Sequence, residues 1–225
     1  METLRDKLIL TAQRMNIIGI NHGSSGNVSV RDTDGFLITP SGRDYESLKP
    51  QEIARLHFAE SSTGTTRNGN PNQPNKPGPK PSSEWRIHRD IYLRRPELSA
   101  IVHVHSVSAT ALACLRQPIP AFHYMVAAAG GIDIRCADYA TFGTQALSDA
   151  VVEALQDRRA CLMANHGMIA CGDDLKAALE LAQEVEILAS QYLLACQAGT
   201  PQLLTEQQMA EALDGFADYR QQSEL

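Results

Sequence analysis

The chain has 225 residues, of which 43% are hydrophobic and 20% are charged, and its formal net charge at pH 7 is −6. This length and composition are typical of a globular protein with one large or two small domains, long enough to bury a core without disulfides or a structural metal. Because an acidic protein is a poor match for nucleic-acid backbones and anionic membrane surfaces, we expect neither kind of partner.

Cysteine usage and the first residues indicate the compartment. The five cysteines are an odd number without a CxxC pair, and Cys161 and Cys171 lie in apolar runs, as buried free thiols usually do. Charged side chains at Glu2, Arg5 and Asp6 are atypical of a signal peptide. No apolar run reaches the roughly 18 residues that span a membrane. We therefore expect a cytoplasmic protein.

Hydrophobic periodicity and turn residues predict helices that alternate with hairpins. In chain order, the pattern predicts a helix over 2–18, strands over 28–30 and 36–39 joined by an Asp-Gly turn, a strand over 53–58, a helix over 83–95, a strand over 100–105, a helix over 106–115, a strand over 132–134, a helix over 146–155, strands over 161–164 and 168–171, and a helix over 175–196. Hairpins mixed with helices favour one α/β domain over 1–225, with a mixed or largely antiparallel sheet covered by helices.

One low-complexity segment interrupts this pattern. Residues 61–83 contain five prolines, three glycines, four asparagines and no large apolar side chain. Such a segment cannot offset its ordering entropy by burial. We predict a surface loop over 61–80 rather than a linker between domains, because too little chain precedes it for an independent core.

The HxH pair His103 and His105 lies in a predicted apolar strand. Side chains alternate along a strand, so both imidazoles share one face and can converge on a metal. A third imidazole is available at His166, in the turn between two apolar strands, and Glu84 in the first turn of a predicted helix offers a carboxylate. Three histidines with an open position suit a catalytic Zn²⁺. The alternative is that no metal binds here. The histidines would then be core residues hydrogen-bonded to the backbone, and Glu84 would only complement the helix dipole.

Small polar residues and glycines cluster at three junctions between predicted elements, at 24–27, 39–42 and 82–83. Backbone N–H groups and hydroxyls at such turns can hold a phosphate, above all at a helix N-terminus. Each cluster by itself is better explained as an ordinary turn or cap, and it is the occurrence of three clusters beside a candidate metal site that favours a phosphate site. No lysine lies in an apolar strand, which disfavours Schiff-base chemistry and favours a metal for polarising a carbonyl.

Together these segments resemble the class II aldolase family, typified by L-fuculose-1-phosphate aldolase. The similar segments are SSGNVSV (24–30), FLITPSG (36–42), PSSEWRIHR (81–89), AIVHVHSVSATAL (100–112), FHYMVAAAGG (122–131), DYATFGT (138–144) and NHGMIACG (165–172). The resemblance spans nearly the whole chain. It implies a three-layer α/β/α fold with a central mixed, mostly antiparallel sheet.

The resemblance also implies roles for individual residues. Three histidines and one glutamate would bind one Zn²⁺ per subunit: His103, His105, His166 and Glu84. The phosphate of a small phosphorylated sugar would lie among Gly26, Asn27, Ser41, Gly42, Ser82 and Ser83. The aldehyde pocket would be lined by Phe142, Phe216 and Tyr219. Tyr124 would act from a neighbouring subunit of a homotetramer.

The reaction implied is reversible aldol cleavage of a ketose 1-phosphate, either L-fuculose 1-phosphate or a related 5-deoxypentulose 1-phosphate. Tyr124 would take the C4 hydroxyl proton, and Glu84 would protonate the enediolate to give dihydroxyacetone phosphate and a small aldehyde. Alternatives from the same superfamily are a ribulose-phosphate 4-epimerase, a methylthioribulose-phosphate dehydratase and a non-catalytic adducin-like module. The epimerases typically carry Asp where Glu84 stands.

Overall fold

The computed structural model describes residues 2–60 and 78–223, and the side chains of all of these except 60 and 218–223. The helices are α1 (Leu4–Ile17), α2 (Trp85–Arg94), α3 (Val107–Cys114), α4 (Gln145–Ala154), α5 (Leu175–Ala198) and α6 (Glu206–Ser223). The strands are β1 (Asn27–Asp32), β2 (Gly35–Ile38), β3 (Ala54–His57), β4 (Ala100–Val104), β5 (Cys136–Ala137), β6 (Ala160–Met163) and β7 (Gly167–Gly172). Most of the predicted surface loop, 61–77, lies outside the described residues.

The strands form one sheet in the order β3-β2-β1-β4-β7-β6-β5. Neighbouring strands are antiparallel except β5 and β6, which are parallel. The predicted Asp-Gly hairpin is β1–β2, where Asp32 pairs with Gly35. The second predicted hairpin is β6–β7, where Met163 pairs with Gly167. The prediction of a mixed, mostly antiparallel sheet is confirmed.

Side-chain alternation along β4 separates two apolar clusters, one on each face of the sheet. Val102 packs in the cluster that contains Leu8 of α1 and Val185 of α5. Ile101 packs in the opposite cluster, with Ile87 of α2. Helices α1, α3 and α5 therefore cover one face, and α2 and α4 cover the other. This arrangement is the expected three-layer α/β/α fold.

The strand predicted over 132–134 is displaced in the structure. Ile134 forms only an isolated bridge with Ile119, and the strand that joins the sheet is β5, which begins at Cys136. An apolar triplet marks burial, but it does not tell which residues reach a neighbouring strand. The strand forms at Cys136 and Ala137 because these are the residues that lie beside β6 and pair with it.

Helix α6 was not predicted, although its sequence has the apolar spacing of an amphipathic helix. Met209, Ala212, Leu213 and Phe216 follow the i, i+3, i+4, i+7 spacing of one helix face, and they pack against the cluster that contains α1 and α5. Met209 is fully buried. In the described part of the chain, neither α6 nor any other helix is long and apolar enough to cross a membrane.

Candidate active site

Three imidazoles meet where β4 ends. Val104 of β4 pairs with Met168 of β7, so the end of β4 lies beside the β6–β7 turn. That pairing brings His103 and His105 next to His166, and the ligating atoms of the three side chains lie within 4.8 Å of one another. His103 Nε2 is 3.0 Å from His105 Nε2. The structure thus brings together the three predicted metal ligands.

The backbone of β7 orients the most buried of these rings. His103 Nδ1 lies 2.8 Å from the Met168 carbonyl oxygen, which can only accept a hydrogen bond, so Nδ1 carries a proton and Nε2 faces the cluster. Burial, together with the neighbouring His103, lowers the pKa of His105 and of His166 to about 4. Neutral imidazoles are the form that binds metals.

Glu84 supplies a carboxylate to the same point. It is the residue before α2, it is 5% exposed, and its Oε2 lies 3.0 Å from His103 Nε2. Its Oε1 lies 3.2 Å from His166 Nε2. Burial opposes ionisation of this group, but His103 and His166 hold the pKa of the carboxyl well below its usual range. The carboxylate is therefore ionised at neutral pH.

The donor set fits a divalent transition metal. Burial by itself would lower the pKa of His103, but Glu84 and the Met168 carbonyl raise it above its ordinary value. Glu84 therefore stabilises a positive charge at His103 Nε2. Glu84 Oε1 is buried without a hydrogen-bond partner among the described residues, as expected for an oxygen reserved for a ligand or a proton. Three imidazoles and one carboxylate are a common ligand set for Zn²⁺.

The side chain of Asn27, which was predicted to contact the phosphate, makes two hydrogen bonds to other buried side chains. Its Nδ2 donates to Glu84 Oε2 at 2.9 Å, and its Oδ1 lies 2.5 Å from His88 Nε2. The side chain is 3% exposed. Gly26 is also buried, and a Cβ there would clash with the His103 carbonyl oxygen and with the Asn21 side chain. Asn27 therefore contacts Glu84 from behind, and Gly26 lies against the backbone of His103.

Backbone hydrogen bonds join two of the predicted phosphate-binding segments. Ser82 N donates to the Thr39 carbonyl, and Ser41 N donates to the Lys80 carbonyl. Ser41, Gly42 and Ser83 are exposed, whereas Ser82 is buried and its Oγ accepts from Glu84 N at 3.3 Å. The N-cap of α2 is the ionised Glu84 itself, and the first turn that follows contains no further acidic residue.

A cavity of about 310 Å³ opens over the cluster. It is lined by Glu84, His105, His166, Ser83, Phe142, Ser25, Tyr139, Ala140 and Asn165. Phe142 is 66% exposed, and its loop is attached to α2 because Arg86 donates to the Gly143 carbonyl. Tyr139 and Asn165 were not among the residues predicted from the sequence, and Ser25 was predicted only as part of the polar cluster at 24–27. Each lies within a segment that carries the family resemblance, and this was the signal that could have found them.

The remaining predicted site residues lie elsewhere. Tyr124 is 55% exposed, and its ring stacks on Phe216 with the centroids 6.5 Å apart. These two residues line a separate cavity of about 500 Å³ with Met125, Ala212 and Gly215. Within one chain, the structure does not bring Tyr124 or Phe216 into the cavity of Glu84. Tyr219 lies outside the residues whose side chains are described.

Comparison with known proteins decides the family. Residues 6–193 match the family described as the class II aldolase and adducin N-terminal domain. The chain belongs to this family. As a class II aldolase family member it is similar to L-fuculose 1-phosphate aldolase of known structure, with a TM-score of 0.87 at 36% identity over 95% of this chain and 96% of the other.

Two proteins of similar sequence are also named as aldolases of sugar phosphates. The first is a 5-methylthioribulose-1-phosphate/5-deoxyribulose-1-phosphate aldolase from Rhodospirillum rubrum, 48% identical over 99% of this chain and 95% of its own length. The second is the L-fuculose phosphate aldolase of Escherichia coli K12, 44% identical over 96% of this chain and 95% of its own length. Both are named as aldolases, and this family member is an enzyme.

Proposed function

We propose that this enzyme catalyses the reversible aldol cleavage of a ketose 1-phosphate to dihydroxyacetone phosphate and a small aldehyde. The observation that carries the proposal is the convergence of His103, His105, His166 and Glu84, of which all but the fully buried His103 line one cavity. The relatives named as aldolases of L-fuculose phosphate and of 5-deoxyribulose 1-phosphate support the same reaction. We assign the activity to one domain that spans the chain.

The three histidines would hold one Zn²⁺ per chain, and Glu84 would be the fourth ligand until substrate binds. When bound, the metal would act as a Lewis acid that stabilises negative charge on the substrate carbonyl oxygen. The orientation of His103 by Met168 and the neutral forms of His105 and His166 prepare these ligands for a divalent ion.

Two residues of the protein would move protons. In the direction of synthesis, the ionised Glu84 takes a proton from the hydroxymethyl carbon of dihydroxyacetone phosphate. The resulting carbanion attacks the aldehyde carbon, and Tyr124 donates its hydroxyl proton to the aldehyde oxygen as the new C–C bond forms. Cleavage is the reverse sequence, in which the C3–C4 bond breaks and Glu84 returns its proton to C3.

The phosphate would bind at the N-terminus of α2. The exposed residues offer the hydroxyls of Ser41 and Ser83 and the backbone N–H groups of Gly42 and Ser83 as donors there, with the buried Ser82, Asn27 and Gly26 behind them. Helix dipole and free donors both favour an anion. A phosphate group at this place would hold the reacting carbon beside Glu84.

Completion of the site would require a second chain. Tyr124 and Phe216 line a cavity different from that of Glu84, so their proposed roles are met only if a neighbouring subunit presents them. We propose a homotetramer in which Phe142 of one chain, with Phe216 and Tyr219 of the neighbour, lines the aldehyde pocket. The unpaired buried thiols and the phosphorylated substrate class support a cytoplasmic enzyme.

A partial reaction tests this proposal without knowledge of the aldehyde. Zinc-loaded protein is incubated with dihydroxyacetone phosphate in D₂O, and exchange of the hydroxymethyl proton is followed by NMR with and without a chelator. We expect rapid, stereospecific exchange that the chelator abolishes and zinc restores. L-Lactaldehyde, acetaldehyde and methylthioacetaldehyde are then compared as acceptors. Absence of exchange in metal-replete tetramer would refute the aldolase, and an epimerase or dehydratase assay would follow.

A further inference from the structure

A row of buried polar side chains lies behind Glu84. Glu84, His88 and Tyr92 are spaced four residues apart, so the N-cap residue and two residues of α2 form one stripe along the helix. Asn27 and Ser29 alternate on β1 and face the same side of the sheet. All five residues are buried, from 0% exposed for His88 and Ser29 to 5% for Glu84. None of His88, Ser29 and Tyr92 lines the cavity over the cluster.

Four hydrogen bonds connect the row end to end. Tyr92 Oη lies 2.7 Å from Ser29 Oγ, and Ser29 Oγ lies 2.6 Å from His88 Nδ1. On its other side, His88 Nε2 lies 2.5 Å from Asn27 Oδ1, and Asn27 Nδ2 lies 2.9 Å from Glu84 Oε2. This chain of hydrogen bonds therefore runs without a break from Tyr92, in the last turn of α2, to one oxygen of the Glu84 carboxylate.

Chemistry fixes the direction of every bond. The NH₂ group of Asn27 donates to Glu84 Oε2, so the side-chain oxygen of Asn27 faces His88. His88 Nε2 must then carry a proton. Burial and the nearby His103 lower the pKa of His88 to about 3, so its Nδ1 is an acceptor for the Ser29 hydroxyl. Ser29 in turn accepts from Tyr92, whose phenol stays protonated because burial raises its pKa.

We propose that this chain, the Tyr92–Glu84 relay, is a positioning device that distinguishes the two oxygens of the proposed base. It holds Glu84 Oε2 through Asn27 and thereby leaves Oε1 as the oxygen that exchanges the proton with substrate. Oε1 accepts no hydrogen bond among the described residues, and it lies 3.2 Å from His166 Nε2 on the side of the histidine cluster. The inference rests on the function proposed above, and it makes Asn27, Ser29, His88 and Tyr92 positioning residues.

A buried polar network can also serve stability alone, and matched serine variants separate the two roles. Ser29→Ala removes the hydroxyl that donates to His88. Ser148→Ala is the control, because Ser148 is equally buried and its hydroxyl donates to Asp90 Oδ2 at 2.7 Å, between α4 and α2. Thermal midpoint, zinc content, KM and the rate of proton exchange with dihydroxyacetone phosphate are measured for both.

We expect Ser29→Ala to lower the exchange rate about 10–100-fold, with KM and zinc content unchanged. Ser148→Ala should keep the wild-type rate even where its thermal midpoint falls equally. Tyr92→Phe removes only the far hydroxyl and should lower the rate by a smaller factor in the same manner. Equal rates in Ser29→Ala and Ser148→Ala, or an effect confined to KM, would overturn the positioning role.

Imidazole NMR of the wild-type protein tests the direction of the relay independently of turnover. In ¹⁵N-histidine-labelled, zinc-loaded enzyme, His88 is identified by the signal lost in His88→Gln. We expect the tautomer with the proton on Nε2 and an unprotonated Nδ1 whose shift moves in Ser29→Ala. A proton on Nδ1 would refute the relay. A correct tautomer in a protein that catalyses no exchange would instead refute the proposed aldolase and leave the relay intact.

Discussion

Gly167 lies where the β4–β7 pairing brings the histidines together, and its replacement by alanine is a sensitive test of that packing. A Cβ at Gly167 would lie 2.5 Å from the Val104 carbonyl oxygen and 2.8 Å from His105 Cδ2. Real contacts of a Cβ stay beyond 3.0 Å, so the neighbouring strand must move by about 0.5 Å. The atom that must move belongs to the backbone of β4, which is packed on both sides and cannot shift as easily as the end of a flexible side chain.

The size of the effect follows from this displacement. Forcing an extra carbon into a packed interior costs about 1–3 kcal/mol. For a chain of this length, each kcal/mol shifts the thermal midpoint by about 2–4 °C. His105 follows Val104 directly, so the same movement shifts a proposed ligand by about the tolerance of a functional site, ~0.5 Å. We expect Gly167→Ala to bind zinc more weakly and to exchange protons about 10–100-fold more slowly.

The control is Gly199→Ala, where a Cβ would meet nothing within 4 Å. Both variants are compared by scanning calorimetry, by zinc titration against a chelator and by proton exchange in D₂O. The control should match the wild type in all three. If Gly167→Ala also matched it, the close approach of β4 to β7 at this point would be wrong. If only stability fell, His105 would not contribute to the metal site.

Three further substitutions test separate parts of the molecule. Glu84→Gln should retain zinc but lose about 10²–10⁴-fold in proton exchange, because a carboxamide cannot take the proton; near-normal exchange would contradict the role of Glu84. Ile169 is fully buried in the apolar cluster that the sheet forms with α2 and α4. Ile169→Ala should lower the free energy of unfolding in urea by about 2–5 kcal/mol, and a loss below about 1 kcal/mol would argue against that packing. The two carboxylate oxygens of Glu186 accept hydrogen bonds from Ser108 N and Ala109 N at the N-terminus of α3. Glu186→Ala should therefore lower the free energy of unfolding by about 0.5–2 kcal/mol in the same assay. An unchanged unfolding midpoint would exclude this cap.

Local chemistry in the chain was sufficient for much of the fold. The Asp-Gly turn predicted the β1–β2 hairpin, and the alternation around His103 and His105 predicted a strand with both imidazoles on one face. Such features depend on neighbours a few residues apart, which the sequence displays directly. The displaced strand at 132–134 depended instead on which residues a partner strand could reach.

The sequence by itself determined which groups were available: three imidazoles, a carboxylate and a polar helix start. Only the tertiary structure decided what they do together. Pairing of β4 with β7 brought His166 to His103, and packing of α2 on β1 placed Glu84 beside them and aligned Asn27 between Glu84 and His88. The residues that form these last two contacts are 57 and 61 positions apart in the sequence. No local periodicity encodes a contact between residues so far apart. Such contacts form because two apolar faces are buried against one sheet.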